Sequence, residues 1–486
     1  KGIFMTILDN RTRWLALYVL CLGDLMIVLD GTIVNVALPS IRDDLGFSQT
    51  SLAWVVNAYL LTFGGFLLLG GRLGDLFGHR RMFLSGIALF TGASLACGLA
   101  NSQGFLVAAR AVQGMGGAVV SAVALSLLMM LFTEQADRAK AMGVFGFVLS
   151  GGGVVGVLAG GILTDLLSWH WIFLVNLPVG VAVFLLTLRL LPADGEAMAT
   201  GRVDVAGAIT VTASLMLAVY AIVNGNEQGW TSAQTLGLLG VSAVLMAAFV
   251  AIEARISSPL MPLGIFRNRS VSTANIVGVL MAGGLFGYFF LSALYLQLVL
   301  GYTPMEVGLA YLPGTVVWGA SSLLLSDRVV MRYGIKTPLI TGLGLMTIAL
   351  VLLARAPVDG NWVVDVLPAT LFAGLGAGIA FNPILLAAMS GVAPQEAGLA
   401  SGVVNTAFMM GGAVGLAGLA ALAASRTESL GGADDLAALN SGYHAAFLLG
   451  AIFLVASSIV AATLPRGEPA AAHGEAPGVP ATAEAE

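Results

Sequence analysis

The chain has 486 residues, of which 58% are hydrophobic and only 10% are Asp, Glu, Lys or Arg, against roughly a quarter charged in an average soluble protein. With 21 basic and 26 acidic side chains, a formal charge of -5 and a mean hydropathy of +0.95, there is too little charge to cover soluble domains. The composition excludes a soluble fold and specifies an all-α polytopic membrane protein.

The short basic clusters argue against nucleic-acid binding. Cys21 and Cys97 stand inside apolar runs with no C-x-x-C or His/Cys cluster, so no metal site is expected and both read as small core residues. The basic start before the first apolar run imitates a signal peptide, but that run is too long and holds two aspartates, Asp24 and Asp30, so it reads as an uncleaved first span.

A bilayer core of about 30 Å needs about 20 mostly apolar residues per helix. Fourteen such runs follow one another: 14–36, 51–71, 82–100, 105–130, 139–164, 170–190, 204–224, 235–253, 271–299, 304–325, 337–354, 364–389, 398–422 and 443–463. Residues 1–13 form a cytoplasmic N-terminal segment. The tail 464–486, rich in Ala, Pro, Gly and Glu, reads as a disordered cytoplasmic tail. Lys and Arg accumulate in cytoplasmic loops near helix ends. Seventeen of the 21 basic residues fall in alternate loops, three in the others, and one, Arg110, inside a span. Both termini are therefore expected in the cytoplasm.

The first span carries LDGTIVNVALP, Leu29 to Pro39. An aspartate at membrane depth disfavours insertion by about 2.5–3.5 kcal/mol and is by default a functional-site hypothesis, which marks Asp30. Asp24, six residues earlier, reads either as a second station in the same cavity or as a buried protonated acid facing a neighbouring helix. Between spans two and three lies GRLGDLFGHRR, in which Gly71 and Gly78 allow a tight turn and Arg72, Asp75, Arg80 and Arg81 supply ion-pairing groups. Span four begins LVAARAVQGMGGA. Arg110 there and Asp30 both lie about 9–12 Å from the far ends of their spans at 1.5 Å per residue, so the two charges qualify as partners. In span five, Gly152, Gly156 and Gly160 recur every fourth residue and make one smooth face for helix packing.

A weak internal repeat links the halves, because an offset of 256 places Arg72, Gly78 and Arg80 on Arg328, Gly334 and Lys336. Such repeats imply two bundles with a site between them: 14–190 as the first, 271–463 as the second, and 204–253 as an inserted pair. In the second half, Thr303, Pro304 and Glu306 read as helix cap, first-turn proline and capping-box acid, with Glu306 as a guard of the outer mouth the other reading. Asn35, Asn57, Gln113, Asn275, Tyr288, Asn382 and Asn405 are the candidate polar residues of a substrate cavity.

GRLGDLFGHRR resembles the signature loop of the major facilitator superfamily, and LDGTIVNVALP resembles, nearly letter for letter, the first-span motif of its fourteen-span drug:proton antiporters. LVAARAVQGMGGA, GGGVVGVLAGG, SWHWIFLVNLPVG, GYTPMEVGLAYLP and GLASGVVNTAFMMGG resemble that family's motifs in spans four, five, six, ten and thirteen. Two positions depart from the pattern, Val157 where proline usually follows the middle glycine and His170 where arginine is usual. The resemblance implies a major facilitator fold and proton-coupled efflux of drug-like or amphiphilic, including cationic, small molecules by alternating access in a bacterial cytoplasmic (inner) membrane. It further implies that Asp30 and Arg110, with Asp24 auxiliary, couple protons, and that Gly71 to Arg81 latch the cytoplasmic side. The expected partners are a small-molecule substrate, protons and the lipid bilayer, the expected state is a monomer, and the energy source is a proton gradient with no cofactor. The rivals are a dedicated exporter of an endogenous metabolite, lipid or amino acid, a membrane-embedded enzyme, and a channel. An enzyme would need a constellation such as H-E-x-x-H or G-x-S-x-G, and the four histidines are scattered.

Overall fold

The computed structural model describes residues 9–194, 204–256, 259–390, 392 and 397–464. The N-terminal residues 1–8, the 195–203 segment and the tail expected to be disordered lie outside them. Among the described residues there is no strand, and thirteen helices are long and apolar enough to cross a membrane. The expected fifth span is the one outside those thirteen. It falls in the 32-residue helix Gln135–Leu166, of which Val155–Leu166 is a shorter apolar stretch.

The first half comprises α1 (Asn10–Leu45), α2 (Trp54–Phe77), α3 (His79–Gly98), α4 (Gln103–Leu131), α5 (Gln135–Leu166), the short α6 (Trp171–Leu174) and α7 (Asn176–Leu190). Here α4 packs on α2 and α3, and α1 packs on α5, α7 and α4. After α8 (Val205–Gln228) and α9 (Ala233–Glu253) come α10 (Arg269–Leu294), α11 (Pro304–Leu324), α12 (Ser326–Tyr333), α13 (Lys336–Leu353), α14 (Leu367–Met389), α15 (Ala397–Leu430) and α16 (Leu436–Ala461). In this half α10 packs on α15 and α16, and α14 on α13 and α11. The halves meet where α5 crosses α11 and where α2 lies along α15, with a smaller meeting of α1 and α10. The pair α8–α9 attaches through α8 to the seam between α2 and α15, and α9 packs on α8 alone among the helices it closely contacts.

The loops holding Arg72, Arg80 and Arg81 and, in the second half, Arg328 and Lys336 lie on one side, termed the basic side; the other is the far side. The 256-residue repeat has a backbone signature. Gly78 adopts φ +98° and Gly334 φ +72°, a conformation that side-chain-bearing residues rarely take. The sequence reading missed α12, an eight-residue helix in the second copy of the loop.

Close helix contact is built on small residues, as expected for helices in lipid. A Cβ on Gly152 would meet Leu25 and Val28 of α1, one on Gly156 would meet Thr32 and Leu29, and one on Gly160 would sit 2.7 Å from the Ile33 carbonyl oxygen. The adjacent face of α5 carries the crossing to the second half, where a Cβ on Gly161 would sit 2.6 Å from the Pro304 carbonyl oxygen and one on Gly308 3.1 Å from that of Val157. Val157, the position without the usual proline, is thus buried at the seam. Gly153, in contrast, has nothing within 4 Å of its would-be Cβ. Gly153→Ala therefore raises stability by up to about 1 kcal/mol through helix propensity. Gly160→Ala lowers it by about 1–3 kcal/mol through overpacking against backbone. Thermal unfolding of the two variants in detergent should move the midpoint in opposite directions.

Candidate functional site

The glycines of span four explain how a charged pair can be assembled inside the first half. A Cβ on Gly114 would run into Thr62 and the Tyr59 carbonyl of α2, and one on Gly116 would lie 2.7 Å from the Phe90 amide of α3. With hydrogen there instead, α4 seats against both helices, and Arg110, one turn earlier, reaches the backbone of α2. Its Nε donates to the Val55 carbonyl oxygen at 2.9 Å. Its Nη1 donates to Asp30 Oδ2 at 2.5 Å and to Gln113 Oε1 at 2.7 Å. The guanidinium lies 4.3 Å from the centre of the Tyr59 ring and 5.6 Å from that of Phe173, within range for attraction between cation and ring face.

Asp30 is fully buried, as is Arg110. A buried carboxylate is tolerated only when paired and hydrogen-bonded. Besides Arg110, Asp30 accepts from Gln113 Nε2 at 2.7 Å and Asn176 Nδ2 at 3.1 Å. Both amides also donate to Ser94 Oγ, at 2.7 and 3.1 Å. Five helices, α1, α2, α3, α4 and α7, thus meet in one hydrogen-bonded network around this carboxylate. Cys97 adds a weak thiol contact to Gln113 at 3.6 Å, and both cysteines are free and buried.

The structure brings together Asp30 and Arg110, whose depths the sequence matched. It corrects the place of Gln113, expected in the substrate cavity: this side chain is fully buried inside the charged network. Sequence reading passed over Ser94, Asn176 and Tyr59. The usable signal was that Asn176 and Ser94, like Gln113, are polar residues inside apolar runs. Asp24 is buried and accepts from Ser121 Oγ of α4 at 2.5 Å.

The other cavity candidates share no hydrogen bond with one another among the described residues. Asn35 donates to the Gly31 and Thr32 carbonyls and Asn275 to the Val271 carbonyl, each within its own helix. Asn57 is fully buried, with no hydrogen-bond partner for either amide atom among the described residues, while Asn382 and Asn405 are half-buried. Tyr288 lines a small cavity between α10, α11 and α14 with Phe289, Tyr311, Thr315, Trp318 and Thr370. Its ring meets Phe289 at 5.0 Å and Tyr311 at 6.2 Å. Glu306 is a capping-box acid: Thr303 N donates to its carboxylate at 2.8 Å and Glu306 N to Thr303 Oγ1 at 3.3 Å.

On the basic side, Asp75 pairs within its own segment, with His79 at 3.4 Å and Arg72 at 3.9 Å, and makes no ion pair to the second half among the described residues. The tie that shapes this loop comes from Asp194, just beyond α7, which the sequence did not flag. Its carboxylate accepts from the Arg80 and Arg81 amides at 3.0 Å each, capping the start of α3 where unpaired amides favour an anion. Arg80 Nη2 donates to the Leu188 carbonyl at 2.8 Å. A Cβ on Gly78 would collide with the Asp194 carboxylate, so the loop needs glycine there for space as well as for its positive φ.

Comparison with known proteins places this geometry in context. The family model described as Major Facilitator Superfamily matches residues 20–416. The puromycin resistance protein pur8 of Streptomyces alboniger is 41% identical over 387 residues, covering 79% of this chain and 76% of that protein. The cephamycin export protein CmcT of Amycolatopsis lactamdurans is 36% identical over 391 residues, 80% of each chain. The multidrug resistance protein Stp of Mycobacterium tuberculosis is 37% identical over 388 residues, 80% of this chain and 72% of that one. Among solved structures, a bacterial homologue of the human lysosomal transporter Spinster superposes with a TM-score of 0.66 at 16% identity, covering 95% of this chain and all of that one. A peptide transporter of the POT family gives a TM-score of 0.66 at 15% identity over 93% and 96% of the two chains.

Removing one partner of the buried pair strands the other. Arg110→Gln should therefore lower stability in detergent by about 3–5 kcal/mol, and adding Asp30→Asn should restore most of the loss. Chemical unfolding of the two single variants and the double variant checks this. Simple additivity of the single effects would show that the charges are not coupled.

Proposed function

The chain belongs to the Major Facilitator Superfamily, and on that premise we propose that it exports drug-like or amphiphilic small molecules by alternating access, driven by inward proton flow. The single observation that carries the reading is the fully buried Asp30–Arg110 pair joining five helices of the first half, in a chain whose relatives are named for antibiotic resistance and export. The first bundle (14–190) then handles the proton. The second (271–463) offers the small aromatic-lined cavity around Tyr288, with 204–253 as an inserted pair and fourteen spans in all. With the basic side in the cytoplasm of a bacterial inner membrane, both termini are cytoplasmic.

The chemistry follows from the bonds. While ionised, Asp30 holds α1 to α4 through Arg110 and to α7 through Asn176. A proton arriving on the carboxylate cancels the charge that makes the Arg110 bond strong. Arg110 retains the Val55 carbonyl, Gln113 and the Tyr59 ring, so it remains satisfied while its tie to α1 weakens. Proton binding thereby changes which helices of the first bundle are bound together, which is the kind of two-state element that coupling requires. Asp24, held by Ser121 on the same two helices, serves as an auxiliary acid about 9 Å further toward the basic side. Energy comes from the proton gradient without a cofactor, and a monomer holds all of these parts.

The names of two relatives, each referring to a single antibiotic, favour a second reading in which the chain is a dedicated exporter of one endogenous compound. Transport in everted vesicles with an imposed pH gradient separates the two, since a panel of lipophilic cations and neutral drugs moves only in the first case. In either case Asp30→Asn should abolish gradient-driven accumulation, by at least about 100-fold, and retain substrate binding. Normal pH-driven transport by that variant would remove Asp30 from the mechanism.

A further inference from the structure

We propose that Gln297 is the far-side latch of the transport cycle, holding the first bundle to the second through a bond that must break before the central cavity opens to the far side. This proposal rests on the alternating-access reading above. Among the described residues, the Gln297 side chain makes the one side-chain hydrogen bond that joins α1–α7 to the second bundle. Its Nε2 donates to the Val36 carbonyl oxygen of α1 at 2.8 Å. Where α5 crosses α11 and α2 lies along α15, glycines such as Gly161, Gly308 and Gly64 let the helices pack closely, and such packing is non-directional and tolerates sliding. An amide donor on a backbone carbonyl fixes position to a few tenths of an ångström.

Both ends of the bond sit where the helices depart from regular geometry. Gln297 lies in a π-helical turn, Tyr295–Val299, that ends α10. Such turns widen the helix and are frequent at functional positions. The turn is anchored to its own bundle, because Tyr295 Oη donates to the Pro357 carbonyl at 2.7 Å and Tyr302 N to the Leu296 carbonyl at 2.9 Å. On α1, Pro39 has no N–H for the carbonyl of Asn35, so the ladder is interrupted one residue before Val36. Gln297 is itself half-buried, and Val36 is fully buried.

The bond matters for coupling because of what α1 carries. Val36 is six residues beyond Asp30, about 9 Å along the same helix. On the basic side, in contrast, α4 and α14 are not in close contact among the described residues. The halves are therefore tied by a directional side-chain bond at the far end of α1. For Asp30 to meet the far side, α1 must leave α10, and that movement breaks this hydrogen bond. Gln297 thus acts as a positioning residue for the carboxylate site, through α1.

Double electron–electron resonance tests the latch. Spin labels at Asn101 and Asp359, both exposed on the far side, report far-side opening in proteoliposomes, and labels at Met130 and Tyr333, 41% and 53% exposed on the basic side, report the reciprocal motion. Both native cysteines are buried, which limits background labelling. Gln297→Met keeps the volume and removes the donor. It should raise the ratio of far-side-open to far-side-closed molecules about five-fold, the effect of one neutral hydrogen bond. Gln297→Glu adds a readout that a merely structural role would not move. Its ratio should exceed that of the unaltered protein at pH 8 and return toward it at pH 5, where a protonated carboxyl again donates to the Val36 carbonyl. If the unaltered protein interconverts and both variants match it at both pH values, the latch is overturned and the transport reading stands. If the unaltered protein shows one far-side distance under every pH gradient and drug tested, the transport reading fails and the latch with it.

Discussion

Much of the first bundle is organised around one constraint: a carboxylate at the centre of a membrane protein must be neutralised and hydrogen-bonded where it stands. Asp30 meets that constraint with Arg110, Gln113 and Asn176, and each partner imposes a condition on its own helix. Arg110 requires α4 to approach the Val55 carbonyl, which requires glycine at 114. Asn176 requires the chain to re-enter helix at α7 after the short α6. Ser94 places an acceptor on α3 for both amides. The network is a small polar core inside an apolar bundle, and its full satisfaction is what makes it compatible with burial.

The same constraint accounts for the asymmetry between the halves. The second half repeats the loop geometry, with Gly334 in the left-handed region like Gly78, but among the described residues it has no counterpart of the buried pair. Its interior polar contacts are neutral, as where Ser292 and Tyr311 share a hydrogen bond at 2.5 Å and Tyr311 donates to the Phe289 carbonyl at 3.1 Å. The first half thus holds the charged, hydrogen-bonded network, and the second a small cavity lined by neutral aromatic side chains.

How much of this was legible in the sequence depended on the range of the physics involved. Hydrophobic runs are local, so spans could be counted along the chain, and a charge inside a run is conspicuous because it is disfavoured there. Depth along a helix is also nearly local, since 1.5 Å per residue converts sequence number into height. That arithmetic matched Asp30 to Arg110 without any knowledge of packing. It could not supply rotation or neighbour identity, which is why Gln113 reads as a cavity residue and Ser94 goes unmarked. Asp194 was invisible for a related reason: its role as the cap of α3 spans more than a hundred residues and depends on how α7 ends beside α3. The loop GRLGDLFGHRR was conspicuous, but its main anchor lies elsewhere in the chain.

The latch loop and the far-side tie then follow one logic. Within the first bundle, charged groups find partners; Asp75 finds His79 and Arg72, and Asp194 finds the amides of α3. Between bundles, polar contact is sparse. A transporter that must separate its halves on alternating sides needs an interface weak enough to part and specific enough to close in register. Glycine-backed crossings such as Gly161 of α5 against α11 and Gly308 of α11 against α5 give close approach without directional bonds. A single directional bond at the end of α1 then suffices to define the closed far side. Because that helix also carries Asp30, the buried carboxylate and the far-side tie share one helix, and no longer chain of contacts is needed to connect them.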